Sequence, residues 1–313
     1  MNVLITGGAG FLGAHLGEAL ARNGHQAVLF DLNFEHSILS TNLFPNYQQV
    51  PKVSGDILDG SKLEEAIHGY KVDHAVHLAT LLTDACEQDP VRATEINCLG
   101  TATVFEVCTR TAIKKVLFGS SVAVFRADPT LPEGDERPYH PITVYGATKV
   151  YGELLAAVLK KSRPGTEFLA LRFGWVYGPG RKRGWNEIQK VLEDFALEKE
   201  TVRYPDYQEP NDWTYVNDAV GAILRCLDAP RSEATAYNFS GDYRPISDAI
   251  AFLRKLFPAV RVEPYPAQLP AVAWNFTSDR IVEATGFAAS TSLEEGIYQT
   301  VNLIRQIHNL RPV

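Results

Sequence analysis

The sequence of 313 residues has no apolar run approaching the roughly 20 residues that a membrane-spanning helix needs. Its apolar runs are strand-sized, such as Val116-Leu117-Phe118. It also has no basic surplus, since 30 Lys and Arg stand against 37 Asp and Glu, a net charge of −7. A nucleic-acid face needs local basic excess, so neither nucleic acid nor membrane is an expected partner. Cysteine is scarce: Cys86, Cys98, Cys108 and Cys226 contain no Cys-x-x-Cys and match no zinc or redox spacing. They read as buried, reduced thiols of a cytoplasmic protein. No cationic segment precedes Val3-Leu4-Ile5, and glycines begin at Gly7, so the N-terminus reads as a first strand and not as a signal peptide. Gly and Pro, at 23 and 18, are ordinary, which excludes collagen-like and low-complexity classes. His74 and His77 are three apart on an apparent strand and face opposite sides, so no metal site is expected.

What is present is an alternation. Short apolar segments are expected as strands over 2–6, 27–30, 49–53, 73–78, 115–119 and 167–172. Helical patterns lie between them over 11–23, 61–68, 89–111 and 143–161. Ser61 followed by Glu64 is a capping-box pattern, and Asp89-Pro90 opens the long helix with Pro at its first position. Such alternation predicts an α/β fold with a doubly wound parallel sheet covered on both faces. The second half predicts helices over 185–199, 216–227, 246–257, 278–285 and 292–308, and a returning strand over 236–240. The expected division is a sheet domain of 1–177 plus about 213–241, with a smaller C-terminal substrate-binding region of 178–212 and 242–313.

The first strand runs into Thr6-Gly7-Gly8-Ala9-Gly10-Phe11-Leu12-Gly13. Gly8, Gly10 and Gly13 satisfy G-x-G-x-x-G, and Gly7, Gly10 and Gly13 satisfy the related G-x-x-G-x-x-G. Glycine lets the backbone bend and approach a pyrophosphate, and the following helix points N–H groups at the anion. An acid about 20 residues on, Asp31, completes a Rossmann-type dinucleotide pattern. Its carboxylate would accept from ribose hydroxyls and repel a 2′-phosphate. No Arg or Lys occurs between Asp31 and Tyr47, so NAD is the expected cofactor and NADP is disfavoured. Asp56, in Gly55-Asp56-Ile57, stands where an acid could meet the adenine amino group, or where a turn needs one.

Tyr145 and Lys149 are four apart at the start of the 143–161 helix and share a face. A nearby ammonium is expected to draw the phenol pKa from about 10 toward the working range. Ser120 and Ser121 end a strand on the carboxyl side, where doubly wound sheets bind ligands.

The chain resembles an extended short-chain dehydrogenase/reductase of the NAD-dependent epimerase/dehydratase family. The resemblance covers most of the chain. It is carried by the glycine turn, Asp31, Gly55-Asp56-Ile57, His77-Leu78-Ala79, Asn97, Ser120-Ser121, Tyr145 with Lys149, Leu171-Arg172, Val176-Tyr177-Gly178-Pro179 and Asp212-Trp213-Thr214-Tyr215-Val216. It implies proton transfer by Tyr145, tuning and nicotinamide-ribose binding by Lys149, and orientation of the reacting oxygen by Ser121. It implies cofactor-site residues at Gly7, Gly10, Phe11, Leu12, Gly13, Asp31, Asp56, Ile57, Leu78, Ala79, Asn97, Tyr145, Lys149 and Val176, with Asn97 structural or supporting the lysine. Thr80, Trp175 and Arg181 are the expected substrate contacts beside Ser121 and Tyr145. The aromatics Tyr177, Trp185 and Trp213 are pocket or core residues.

Two departures narrow the expectation. Dehydratases of the family carry an Asp-Glu pair after the catalytic Ser or Thr, whereas Ser121 is followed by Val122-Ala123. Sugar-nucleotide enzymes usually hold an Arg where Asn211 stands, and a second before the position of Asp279; neither is here. Arg181, Lys182 and Arg183 supply charge elsewhere or form a solvated loop. The expected function is NAD-dependent hydride transfer at a secondary alcohol or ketone carbon of a small, hydroxylated substrate. The alternatives are a UDP-sugar 4-epimerase with tightly held NAD and a non-catalytic NAD sensor. The resemblance also implies a homodimer built on the 89–111 and 143–161 helices.

Overall fold

The computed structural model describes residues 1–34, 44–127, 134, 137–184, 186–272 and 274–313. The strands among them are β1 (Asn2–Thr6), β2 (Gln26–Asp31), β3 (Lys52–Ser54), β4 (His74–His77), β5 (Lys115–Ser121), β6 (Glu167–Phe173), β7 (Val176–Tyr177), β8 (Thr201–Asp206), β9 (Asn211–Tyr215), β10 (Ala236–Phe239), β11 (Asp242–Arg244) and β12 (Arg261–Pro266). Seven of them form a wholly parallel sheet in the order β10-β6-β5-β4-β1-β2-β3.

Side-chain alternation explains why these strands read as unbroken apolar runs. Val3 and Ile5 of β1, with Ala27 and Leu29 of β2, enter the core on one face. Leu4, Val28 and Phe30 enter the core on the other. Leu16 and Leu20 of the helix Phe11–Arg22, and Ala219 and Ile223 of the helix Val216–Asp228, cover the first face. Leu63 and Ile67 of Gly60–Gly69, Val104 and Phe105 of Gly100–Arg110, and Ala156 of Val144–Ser162 cover the second. Every residue of β6 is buried, and its two charged residues, Glu167 and Arg172, pair with Lys115 and Glu153.

Local chemistry sets the helix starts. Thr143 Oγ1 accepts from the Gly146 N–H at 2.9 Å and caps the helix Val144–Ser162. Asp89 caps the next helical path by accepting from Arg92 N at 2.9 Å. That path is not uniform: Pro90–Ala93 and Gly100–Arg110 are α-helical, and Thr94–Leu99 between them is a π-helical segment. The helix expected over 61–68 is capped by Asp59, not Ser61; Asp59 Oδ1 accepts from Lys62 N at 3.0 Å.

The second half is more sheet-like than its sequence pattern. β7, β9 and β11 form a small sheet, and β12 pairs with β8 in parallel. The prolines Pro264 and Pro266 lie in that two-stranded ribbon, where a missing N–H costs little. The helix expected over 185–199 is Glu187–Ala196, and Trp185 lies outside the described residues. All four cysteines are free, and Cys86, Cys108 and Cys226 are buried, whereas Cys98, expected to be buried too, is half-buried. No helix among the described residues is long and apolar enough to cross a membrane.

Candidate active site

The sheet order reverses between β2 and β4 around β1, and a cavity of about 750 Å³ opens at the carboxyl ends of these strands. Gly7 ends β1 with φ +73°, and its carbonyl accepts from Gly10 N at 3.0 Å. A Cβ on Gly13 would lie 2.2 Å from Gly7 O, and one on Gly7 would lie 2.7 Å from Ala79 N. Gly7, Gly10 and Gly13 are therefore the glycines that let turn, helix and β4 meet. Gly8 meets a different demand, because its Cβ would fall 2.6 Å from Leu29 Cβ on β2. Phe11, Leu12 and Gly13 line the cavity in the first turn of the helix, where N–H groups have no intrahelical acceptor. Asp31 closes β2 at the same edge. Its Oδ2 accepts from Ala9 N at 3.0 Å and its Oδ1 from Leu32 N at 2.8 Å. Burial raises its pKa above the usual carboxylate value, against these two bonds and the charge of Arg183.

Across the cavity, β5 delivers Ser121 and the helix Val144–Ser162 delivers Tyr145 and Lys149. Ser121 Oγ accepts from Ala123 N at 3.2 Å, and its hydroxyl acts on the Tyr145 phenol. Lys149 Nζ donates to Gly119 O at 2.8 Å and sits 5.4 Å from the Tyr145 ring centroid. The expected drop in the phenol pKa is reversed in the protein alone. Burial pushes Tyr145 up to about 12, with Ser121 and Arg181 opposing, and pushes Lys149 down to about 8. Desolvation penalises both charges here, and the ammonium points at a backbone carbonyl and not at the phenol oxygen.

Asp56, Ile57, Leu78, Ala79, Thr80, Trp175, Val176 and Arg181 line the same cavity. Asp56 also serves as a turn residue, accepting from Leu58 N at 3.0 Å. Asn97 does not line it. From the π-helical segment its Oδ1 accepts from Leu81 N at 2.7 Å, and its Nδ2 donates to Leu81 O at 3.0 Å and Thr148 Oγ1 at 3.1 Å. It ties the post-β4 loop to the residue beside Lys149, which is a structural role. Tyr177 and Trp213 are fully buried and pack against Trp175 with centroids 5.3 and 5.1 Å away; they are core, and Trp175 is their cavity face. The sequence pattern did not reveal Arg92, Val272 and Trp274, which also line the cavity from distant segments, and Lys182 and Arg183 of the charged loop line it too. Asn211 is fully buried, donates to Asp212 O at 3.1 Å and does not line the cavity.

The family model "NAD dependent epimerase/dehydratase family" matches residues 3–240. The chain belongs to that family. A UDP-glucose 4-epimerase of Azospirillum brasilense is 33% identical over 322 residues, covering 96% of this chain and 90% of its own. A UDP-N-acetyl-alpha-D-glucosaminuronate decarboxylase of Bacillus cytotoxicus is 26% identical and covers 98% of each chain. Among solved structures, a Thermotoga maritima UDP-glucose 4-epimerase with UDP-glucose superposes with a TM-score of 0.85 at 22% identity, over 98% of this chain and 99% of that one. An L-threonine dehydrogenase of Clostridium difficile superposes at 0.82 and 22% identity, over 97% and 98%. This chain is an enzyme of the extended short-chain dehydrogenase/reductase class, with the family's NAD-dependent fold.

Proposed function

We propose that the enzyme is an oxidoreductase that uses NAD to interconvert a secondary alcohol and a ketone in a small, hydroxylated substrate. The carrying observation is that Ser121, Tyr145 and Lys149 share one cavity with the glycine turn, while Asn211 is buried and does not line it. A substrate diphosphate would thus find no cation at that position. The residues fit the cofactor: a glycine cradle too tight for a Cβ at Gly7 and Gly13, a helix start, and Asp31 at the ribose position. Gly7, Gly10, Phe11, Leu12 and Gly13 would hold the pyrophosphate, Asp31 and Asp56 with Ile57 the adenosine, and Leu78, Ala79 and Val176 the nicotinamide half. Asp31 favours NAD over NADP by repelling a 2′-phosphate. Comparing the binding constants of the two cofactors checks this, and equal affinity removes the preference.

Bound NAD supplies the hydride acceptor. Tyr145 takes the proton of the substrate hydroxyl as the phenolate in oxidation and returns it as the phenol in reduction. Ser121 hydrogen-bonds the reacting oxygen and Tyr145 together. Lys149 binds the nicotinamide ribose and holds positive charge next to the phenol. The test is NADH formation across sugars, sugar acids, polyols and hydroxy acids. No turnover by the wild type, or undiminished turnover by Tyr145→Phe, removes the proposal.

The second reading, a nucleotide-sugar 4-epimerase, is favoured by the Azospirillum brasilense relative. It predicts epimer formation from UDP-sugars without net NADH, which NMR detects. The division into a cofactor domain of 1–177 plus about 213–241 and a substrate region is supported by β10, which returns to the large sheet beside β6. A homodimer is supported by exposed Tyr151, Leu154 and Val158, which recur at helical spacing on one face of Val144–Ser162, and by Val91 and Leu99 nearby. Gel filtration at the monomer mass removes it. The four free thiols support a reducing compartment such as the cytoplasm.

A further inference from the structure

We propose that Arg181 forms an anion subsite beside Tyr145, and that the substrate is a small hydroxy acid whose carboxylate docks on this guanidinium. The proposal rests on the oxidoreductase reading above and names its substrate class.

The chain is shaped to place this side chain. Gly178 and Gly180 adopt φ of +146° and +96°, values that L side chains avoid, so the loop after β7 folds back over the cavity. His15 Nε2 donates to the Pro179 carbonyl at 3.0 Å and ties the loop to the cofactor helix. Arg181 Nη1 donates to Val176 O at 2.6 Å, and its guanidinium carbon lies 5.8 Å from the Trp175 ring centroid. The side chain is thus held at two points before any ligand arrives. It shares its cavity wall with Ser121 and Tyr145, and its charge acts on the Tyr145 phenol.

The surroundings select the ligand. Trp175, Leu82, Val272 and Trp274 are apolar walls of the same cavity. A guanidinium desolvated among such walls attracts an anion strongly, and its planar fork matches the two oxygens of a carboxylate. Burial pushes its pKa from 12.5 down to about 10, which leaves it charged at neutral pH. Arg183, from the same loop, acts on Asp31 at the adenosine end. At the Tyr145 end the Lys149 ammonium already donates to Gly119 O, so the planar fork there is that of Arg181, and a single fork suits a monoanionic carboxylate better than a diphosphate.

The test uses a ligand that binds without reacting. In 2-hydroxy-2-methylpropanoate the carbinol carbon carries no hydrogen, so oxidation is impossible; its amide is a neutral control. Calorimetric titration of both into the NAD-loaded enzyme should show the acid binding at least about tenfold tighter. Arg181→Gln should abolish that ratio, Arg181→Lys should keep part of it, and Lys182→Gln should keep all of it. Should Arg181→Gln lose its fold, Arg181→Lys decides by whether the ratio falls. Equal binding of acid and amide, no binding of either, or an unchanged ratio in the Arg181 variants overturns the proposal. So does UDP binding that is tighter than the acid and Arg181-dependent, because the subsite then serves a diphosphate. The two proposals fail separately. Arg181-dependent acid binding with no NADH from any substrate removes the oxidoreductase reading alone. NADH from neutral polyols without an acid preference removes the subsite alone.

Discussion

The Lys149 ammonium donates to the carbonyl of Gly119 at 2.8 Å, one helical turn beyond Tyr145, whose ring centroid is 5.4 Å from the same nitrogen. The lysine is anchored to β5 by its charge-bearing end, so its position is set before a cofactor arrives. Tyr145→Phe should lower kcat by about two to four orders of magnitude and leave the dissociation constant of NAD unchanged. Steady-state kinetics and a separate NAD titration read the two quantities. Lys149→Met should lower kcat and also weaken NAD.

Gly13→Ala should abolish NAD binding while leaving the far-UV circular dichroism intact. The added methyl would fall 2.2 Å from Gly7 O, and that contact is backbone on both sides, so relief must widen the turn that faces the pyrophosphate. NAD affinity within twofold of the wild type would show that the turn does not bind the cofactor.

A buried ion pair holds the helix of Tyr145 against the sheet. Arg172 on β6 donates through Nε and Nη2 to Glu153, at 2.9 and 2.6 Å. Ser120 Oγ and Tyr139 OH also donate to the Glu153 carboxylate. Glu153→Ala leaves Arg172 buried without its carboxylate and should cost about 3–5 kcal/mol in urea unfolding. Retained stability would show that the pair is replaceable by water.

Stability should fall as pH drops through the window from about 6.5 to about 4. Burial holds the His15 pKa down at about 4, whereas the unfolded chain titrates near 6.5. Between these values the unfolded state binds more protons, so stability is complete above the upper value and is lost toward the lower. The His15 share is on the order of 3 kcal/mol by linkage. His77, pushed down to about 3, adds to the same slope. His15→Gln keeps a donor for Pro179 O and should flatten part of the slope. An unchanged pH dependence of the melting temperature in that variant would assign the slope elsewhere.

The parallel sheet was legible because strands buried on both faces leave unbroken apolar runs, as in Val116-Leu117-Phe118. β3, at three residues with Lys52 and Ser54 exposed, gave only a weak pattern. The helix Thr83–Gln88 was missed: it has one buried residue, Cys86, and so no apolar period. β8 and β12 pair across more than fifty residues, and no local pattern records such a partner. In the site, residue types and order were legible, since a glycine turn and a Tyr-Lys helix face are local. The electrostatics were not. Whether Lys149 activates Tyr145 depends on shared burial and on the direction of the ammonium, and both are set by Gly119 on another element. Arg183 illustrates the same point: no Arg or Lys stands between Asp31 and Tyr47 in sequence, yet one acts on Asp31 in space.

The return of β10 to the sheet has a consequence for synthesis on the ribosome. β6 pairs with β5 as soon as it emerges, but its other edge waits for Ala236–Phe239, some sixty residues later. At about 5–20 residues per second, a bare apolar edge stands open for roughly 3–12 seconds. An unpaired edge is a template for other chains. A premature stop between 174 and 235 would make that exposure permanent, so such fragments should precipitate or be captured by chaperones.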